Sequence, residues 1–274
     1  MQAFSSTRGW VPPTGTLGEL TRAAHDRAAA VVDRLAELRA AASDAPPPKP
    51  FAAALRQHYV TVIAEVKRAS PSKGAIAPAL DAGEQAVAYV RGGAAAISVL
   101  TEPSRFGGSL NDLAAVTPRV SVPVIRKDFL VHPVQLWEAR AAGASAALLI
   151  VRALSPSALE ALMDAMQETG MQALVEVRDE AELARALAVD ARVIGVNNRN
   201  LETLIIDVAT APALIPAIPS DRIAVAESGM KSADDLSAAA ASGADAVLVG
   251  SAVSANADPA SGVRALASVT RHAR

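Results

Sequence analysis

RGGAAAISVL (91–100), AAGASAALLI (141–150), ETGMQALVEV (168–177) and ASGADAVLVG (241–250) are four variations on one pattern: the end of a helical segment, a glycine, then a short apolar run. The glycine stands where a helix stops in the left-handed backbone region that a residue lacking Cβ enters without steric cost. The run after it is short and almost continuously apolar, as expected of a strand buried on both faces of a parallel sheet. With VTVIAEV (60–66), VPVIRKD (122–128), RVIGVNN (192–198) and RIAVAES (222–228), the strands number eight: these four and AAISVL, ASAALLIV, QALVEV and ADAVLVGS. Eight βα units predict an α/β fold, a (β/α)8 TIM barrel, over an open doubly wound sheet, and no glycine-rich dinucleotide turn follows the first strand.

Upstream, TLGE (16–19) fits a capping box at a helix start. Leu17, Leu20, Ala24, Val31, Leu35 and Leu38 continue an apolar stripe that predicts one helix to about residue 42. SDAPPPKP (43–50) ends it, since consecutive prolines remove donors and favour extended backbone. Residues 1–58 therefore read as an N-terminal helical extension with a Pro-rich linker, and 59–274 as the catalytic barrel, one structural domain in all.

The chain has 274 residues, 51% of them hydrophobic and 20% charged, which is ample for a single large core. Its net charge of −2 gives no field that would gather nucleic acid or an anionic membrane, so an anionic substrate must be captured locally. The absence of cysteine excludes disulfides, thiolate zinc and iron–sulfur clusters, and His25, His58, His132 and His272 have no metal-ligand spacing. MQAFSSTRGWVPPTG (1–15) lacks a signal-peptide pattern, which predicts a cytoplasmic protein.

Catalytic groups of such barrels come from the carboxyl ends of strands. Those ends carry Glu65 and Lys67, Lys127, Glu176, Asn197 and Arg199, Glu227 and Ser228, and Gly250 and Ser251. Residues two apart share one side of a strand, so Glu65 with Lys67, and Asn197 with Arg199, can both face the mouth. Taken singly, Lys127 beside Arg126 also fits a solvated basic pair, and Glu65 with Lys67 a local ion pair. ESG (227–229) and VGS (249–251) place Ser228, Gly229, Gly250 and Ser251 after strands 7 and 8, where barrels often bind phosphate. SPSKG (70–74) reads as a loop that orders over substrate.

IAEVKRASPSKG (63–74), SVLTEPSRFGGS (98–109), VIRKDF (124–129), ALVEV (173–177), IGVNNRNL (194–201), AESG (226–229) and LVGS (248–251) together resemble, in order, the indole-3-glycerol phosphate synthase family of tryptophan biosynthesis. The resemblance spans about residues 60–258. It implies a carboxy-lyase that closes the ring of 1-(o-carboxyphenylamino)-1-deoxyribulose 5-phosphate, losing CO₂ and water, without cofactor or metal. On the matched positions Lys127 is the general acid at the ketone oxygen, Glu176 removes a proton, Glu65 and Lys67 assist dehydration, and Asn197 orients substrate oxygens. Ser70, Arg199, Ser228, Gly229, Gly250 and Ser251 would bind substrate and phosphate, while Phe106, Phe129, Leu148, Leu201 and Pro71 would line an aryl slot. Two places depart from the family pattern: His132 stands where aspartate commonly caps the third helix, and SKGAIAPALDAG (72–83) lacks an acidic residue that the family carries there, Asp81 being its one carboxylate. Both concern helix starts, and His132 is expected to cap less well than aspartate.

The rival readings are another phosphate-binding barrel such as phosphoribosylanthranilate isomerase, whose expected cysteine this chain cannot supply, and a non-enzymatic phosphometabolite-binding scaffold. The expected partner is the small phosphorylated substrate, with no nucleic acid and no membrane. Other tryptophan-pathway enzymes are the candidate protein partners of a chain expected to be a monomer.

Overall fold

The computed structural model describes residues 10–254, 258–267, 269–272 and 274. Part of the amino-end reading, residues 1–9, thus lies outside the described residues. All eight expected strands form: β1 (Thr61–Val66), β2 (Ala96–Leu100), β3 (Val124–Lys127), β4 (Ala146–Ile150), β5 (Gln172–Val177), β6 (Val193–Asn197), β7 (Ile223–Glu227) and β8 (Ala246–Val249). Each pairs in parallel with its sequence neighbour, and β1 closes the barrel on β8 with Thr61 opposite Ala246. Nearly every strand residue is buried, which explains the continuous apolar runs. The four diagnostic glycines, Gly93, Gly143, Gly170 and Gly243, have φ of 98°, 85°, 70° and 91°.

The amino-terminal helix differs from expectation. It divides into α1 (Gly15–Ala29) and α2 (Leu35–Asp44), joined through a 3-10 turn at Val32–Arg34. The adjacent β-branched Val31 and Val32 are poor helix continuers. The bend also lets Ala28 and Leu38 bury together against Val134 on the third barrel helix, where Arg39 lies 4.7 Å over the Trp137 ring. The capping box at Thr16 does not form. Thr14 is the N-cap and makes no side-chain cap bond; its N–H and hydroxyl donate to Glu202, and Thr16 N–H donates to the Glu202 carbonyl. A partner 188 residues away thus replaces the local one.

α1 lies at the barrel mouth, with Leu17 and Leu20 buried in the main core and Thr16 and Leu20 on the wall of the central cavity. At the opposite end, a short helix at Phe51–Leu55, just after the proline run, buries both its terminal side chains, and Ala52 N–H donates to Gln172 at the start of β5. His132 does cap its helix: its Nδ1 accepts from Val134 N–H at 3.2 Å, while Gln135 accepts from the His132 N–H. The imidazole nitrogen supplies the acceptor that a carboxylate would, so the substitution keeps the cap.

Candidate active site

The carboxyl ends of the strands open into one cavity of about 480 Å³. Every site residue expected from sequence lines it except Glu176, which faces an adjoining recess of about 110 Å³ that shares Asn197 and Arg199 with the first. The floor is charged. Lys127 Nζ lies 3.7 Å from Glu176 Oε2 and 3.6 Å from Glu227 Oε2, and Lys67 Nζ is 2.5 Å from Glu65 Oε1. All three carboxylates are buried.

Such crowding sets the protonation states. Burial alone would lower Lys127, but Glu227, Glu176 and Glu65 outweigh it and hold the ammonium well above its ordinary value. Burial alone would raise Glu65, yet Lys67 and then Lys127 overcome it and keep the carboxyl below its usual range. Glu227 goes the other way: burial, reinforced by Glu176, pushes it up to about 8 against the pull of Lys127. At neutral pH the floor therefore carries a cationic lysine, an ionised Glu65 and a protonated Glu227.

Glu227 ends its strand as the other acidic groups do, but strand position alone gives it no role. The signal that could have found it is Gly195, across the β6–β7 ladder, where any Cβ would collide with Glu227 Oε1. Gly250 shows a similar relation: a Cβ there would meet Glu65 Oε1 and come within 2.8 Å of Lys67 Nζ. Its bareness makes room for that ion pair, a reason that spacing could not supply.

Asn197 Oδ1 accepts from Arg199 N–H at 2.9 Å, so its amide nitrogen is the group left for a ligand. Arg199 donates to the Leu204 carbonyl and is half-buried. The neighbouring Asn198, unassigned from sequence, is fully buried and fastens the loop after β7: its amide donates to the Ser228 carbonyl at 3.0 Å, and its oxygen accepts from Ala211 N–H. Ser228 has φ 62° and Gly229 φ 86°, so this turn holds a non-glycine residue in the left-handed region. Such strain persists where surrounding bonds over-determine it. Ser70, Pro71, Ser72 and Lys73 contribute a wall from a small hairpin whose strands, Ala69–Ser70 and Gly74–Ala75, pair antiparallel.

The apolar wall is formed by Phe106 and Phe129, ring centroids 6.2 Å apart and tilted by 38°, with Leu148 and Leu201. Phe106 ends a four-residue helix whose N-cap, Glu102, accepts from the N–H groups of Ser104, Arg105 and Phe106. Phe129 N–H donates to Asp128 Oδ1 at 2.8 Å. An apolar slot beside a buried acid–base cluster and small-residue turns suits a ligand that is aromatic at one end and anionic at the other.

A family model described as indole-3-glycerol phosphate synthase matches residues 20–266. The chain is 52% identical over 243 residues to an indole-3-glycerol phosphate synthase of Rhodococcus jostii, covering 89% of this chain and 90% of that protein. It is also 52% identical to indole-3-glycerol phosphate synthase 1 of Streptomyces coelicolor, covering 87% and 88%. Among solved structures, 3-hexulose-6-phosphate synthase from Salmonella typhimurium superposes with a TM-score of 0.59 at 17% identity over 76% of this chain and 96% of that one. Thiamine phosphate pyrophosphorylase from Pyrococcus furiosus gives 0.55 at 16% over 77% and 95%; both likenesses concern the fold.

Proposed function

This chain belongs to the indole-3-glycerol phosphate synthase family, and from that premise we propose that its barrel mouth converts 1-(o-carboxyphenylamino)-1-deoxyribulose 5-phosphate to indole-3-glycerol phosphate. The observation that carries the reading is Lys127, a partly buried cation among the buried carboxylates of Glu176, Glu227 and Glu65, beside a slot walled by Phe106 and Phe129.

In the first step the aryl carbon bearing the carboxylate attacks the ketone carbon, and negative charge develops on the ketone oxygen. Lys127 stabilises that charge and gives it a proton. A raised lysine value does not prevent this, because a developing alkoxide is far more basic than any ammonium. Loss of CO₂ returns its bonding pair to the ring and restores aromaticity. Departure of the new hydroxyl as water, with removal of a ring proton, then completes the indole. Glu176 is the base we assign to proton removal, while Glu65 and Lys67, held as a pair, serve the dehydration. Protonated Glu227 limits the negative charge around Lys127. No electrons are exchanged with a carrier, so the reaction calls for no redox cofactor.

Asn197 offers its amide to substrate oxygens. Ser228, Gly229, Gly250 and Ser251 receive the phosphate, with Ser70 and Arg199 beside them. Pro71, Leu148 and Leu201 complete the aryl slot. No helix among the described residues is long and apolar enough to cross a membrane. We place the enzyme in the cytoplasm as a monomer, with other tryptophan-pathway enzymes as its candidate partners. Residues 1–58 act as an extension to a catalytic barrel of 59–274. Incubating the protein with the carboxyphenylamino substrate and following the fluorescence of the indole ring tests the activity; a folded protein that yields no indole-3-glycerol phosphate would sink it.

A further inference from the structure

Arg27, on α1, touches two buried carboxylates at once. Its Nη2 donates to Asp128 Oδ1 at 2.7 Å, and its Nη1 lies 3.8 Å from Glu102 Oε1. The Asp128 and Glu102 side chains are 1% and 0% exposed, whereas Arg27 is 28% exposed. Neither carboxylate depends on Arg27 for its hydrogen bonds. Asp128 also accepts from Arg126, Thr101 and Phe129 N–H, and Glu102 accepts from three backbone amides and the Ser104 hydroxyl. What Arg27 adds is the link between them.

Each carboxylate organises one wall of the apolar slot: Glu102 by capping the turn that ends in Phe106, Asp128 by accepting from Phe129 N–H. Two buried anions on adjacent loops repel, and a guanidinium reaching both replaces repulsion with attraction. We infer that Arg27 is a positioning residue that sets the separation of Phe106 and Phe129, so that the amino-terminal helix controls affinity for the aryl end of the ligand. The inference rests on the aryl-slot reading above. Arg27 does not touch the slot; it acts through Glu102 and Asp128.

The test compares two simple probes, 2-aminobenzoate for the aryl end and inorganic phosphate for the other, by calorimetry on the full chain. Arg27→Met keeps the aliphatic stem and removes the link. It should weaken 2-aminobenzoate binding about tenfold, within the range of coupling between contacting residues, and leave phosphate affinity unchanged. In turnover the loss should fall on KM more than on kcat. Arg27→Lys, able to reach Asp128 but not span to Glu102, should recover only part of the affinity. Glu19→Gln breaks a different, exposed contact between α1 and the same loop, to Arg105 at 3.0 Å, and should leave both probes unaffected. Unchanged 2-aminobenzoate affinity in folded Arg27→Met, while Phe106→Ala weakens it, overturns the inference and leaves the slot reading intact. Unchanged affinity in Phe106→Ala removes the slot reading and the inference with it. Equal loss of both probes, in step with loss of folded protein, would make Arg27 a structural anchor only and also overturn it.

Discussion

Gly195 and Glu227 lie diagonally across the β6–β7 ladder, where Gly195 pairs with Val225 and Glu227 with Asn197, and the space where Gly195 would carry a Cβ is filled by Glu227 Oε1. Gly195→Ala must therefore push a buried carboxyl aside, with Leu174 also 3.2 Å from the new methyl. Because the obstructing atom is the tip of a side chain, overpacking should cost no more than about 1–3 kcal/mol of stability. Catalysis should suffer more, since Glu227 sets the charge around Lys127. We expect a folded variant with kcat reduced about tenfold or more, the order of loss seen when one preorganised electrostatic contact is disturbed. Steady-state kinetics with a thermal melt decides it, and a normal kcat would show that Glu227 has no part in turnover.

Lys127→Met keeps the aliphatic bulk and removes the proton donor. A positioned general acid contributes about 10² to 10⁴ in rate, so kcat should fall by that order with KM little changed. Were Lys127 only attracting an anionic substrate, the loss would fall on KM and shrink at high salt. Measurements at low and high ionic strength separate the two.

The raised value of Glu227 makes both stability and activity depend on pH. The folded protein keeps a proton on Glu227 up to about 8, whereas an unfolded chain releases it near 4.5. Folding thus takes up a proton between those values, and the stability from this group is complete below about 4.5 and lost as pH rises through about 8. Glu182, pushed up to about 7 by burial and then by Asp179, adds a slope of the same sign. Glu227→Gln should flatten the fall of melting temperature between pH 6 and 9 without abolishing it. In the native enzyme, kcat/KM should decline above about pH 8 as Glu227 ionises, and Glu227→Gln should lack that limb. An unaltered limb in the variant would assign it to another group.

Gly250→Val fills the space that Glu65 and Lys67 use and narrows the proposed phosphate turn. Two losses should appear together: weaker binding of inorganic phosphate by calorimetry and a lower kcat. If kcat falls while phosphate affinity holds, Gly250 serves the ion pair and the phosphate lies elsewhere.

How much of this was legible in the sequence follows from the range of each signal. The strands and the glycine stops were readable because burial and positive φ act within a few residues. Strand alternation likewise brought Glu65 with Lys67, and Asn197 with Arg199, to one cavity. The hold of Glu202 on the helix start at Thr14 was not readable, because the two lie 188 residues apart, and neither was the link from Arg27 to Asp128 across 101. The division of the first helix has a local half, the adjacent Val31 and Val32, and a remote half, the packing of Ala28 and Leu38 on Val134. The role of Glu227 is hidden in the sequence because its companion signal is a missing side chain, Gly195. The uses of Asn198 and Gly250 are tertiary in the same way.

The pairing of β1 with β8 has a consequence for the order in which this protein becomes an enzyme. Glu65 and Lys67 are supplied by the opening strand of the barrel, and the clearance that admits their ion pair is supplied by Gly250, 183 residues after Lys67 in a sequence numbered to 274. During vectorial synthesis Glu65 and Lys67 emerge long before the segment that walls one side of their pair. Closing so long a loop is entropically costly and comes late in folding. Turnover is therefore a readout of the finished circle: a chain stalled before its closing strand would hold nearly all of its acid–base groups, yet lack the wall that encloses two of them.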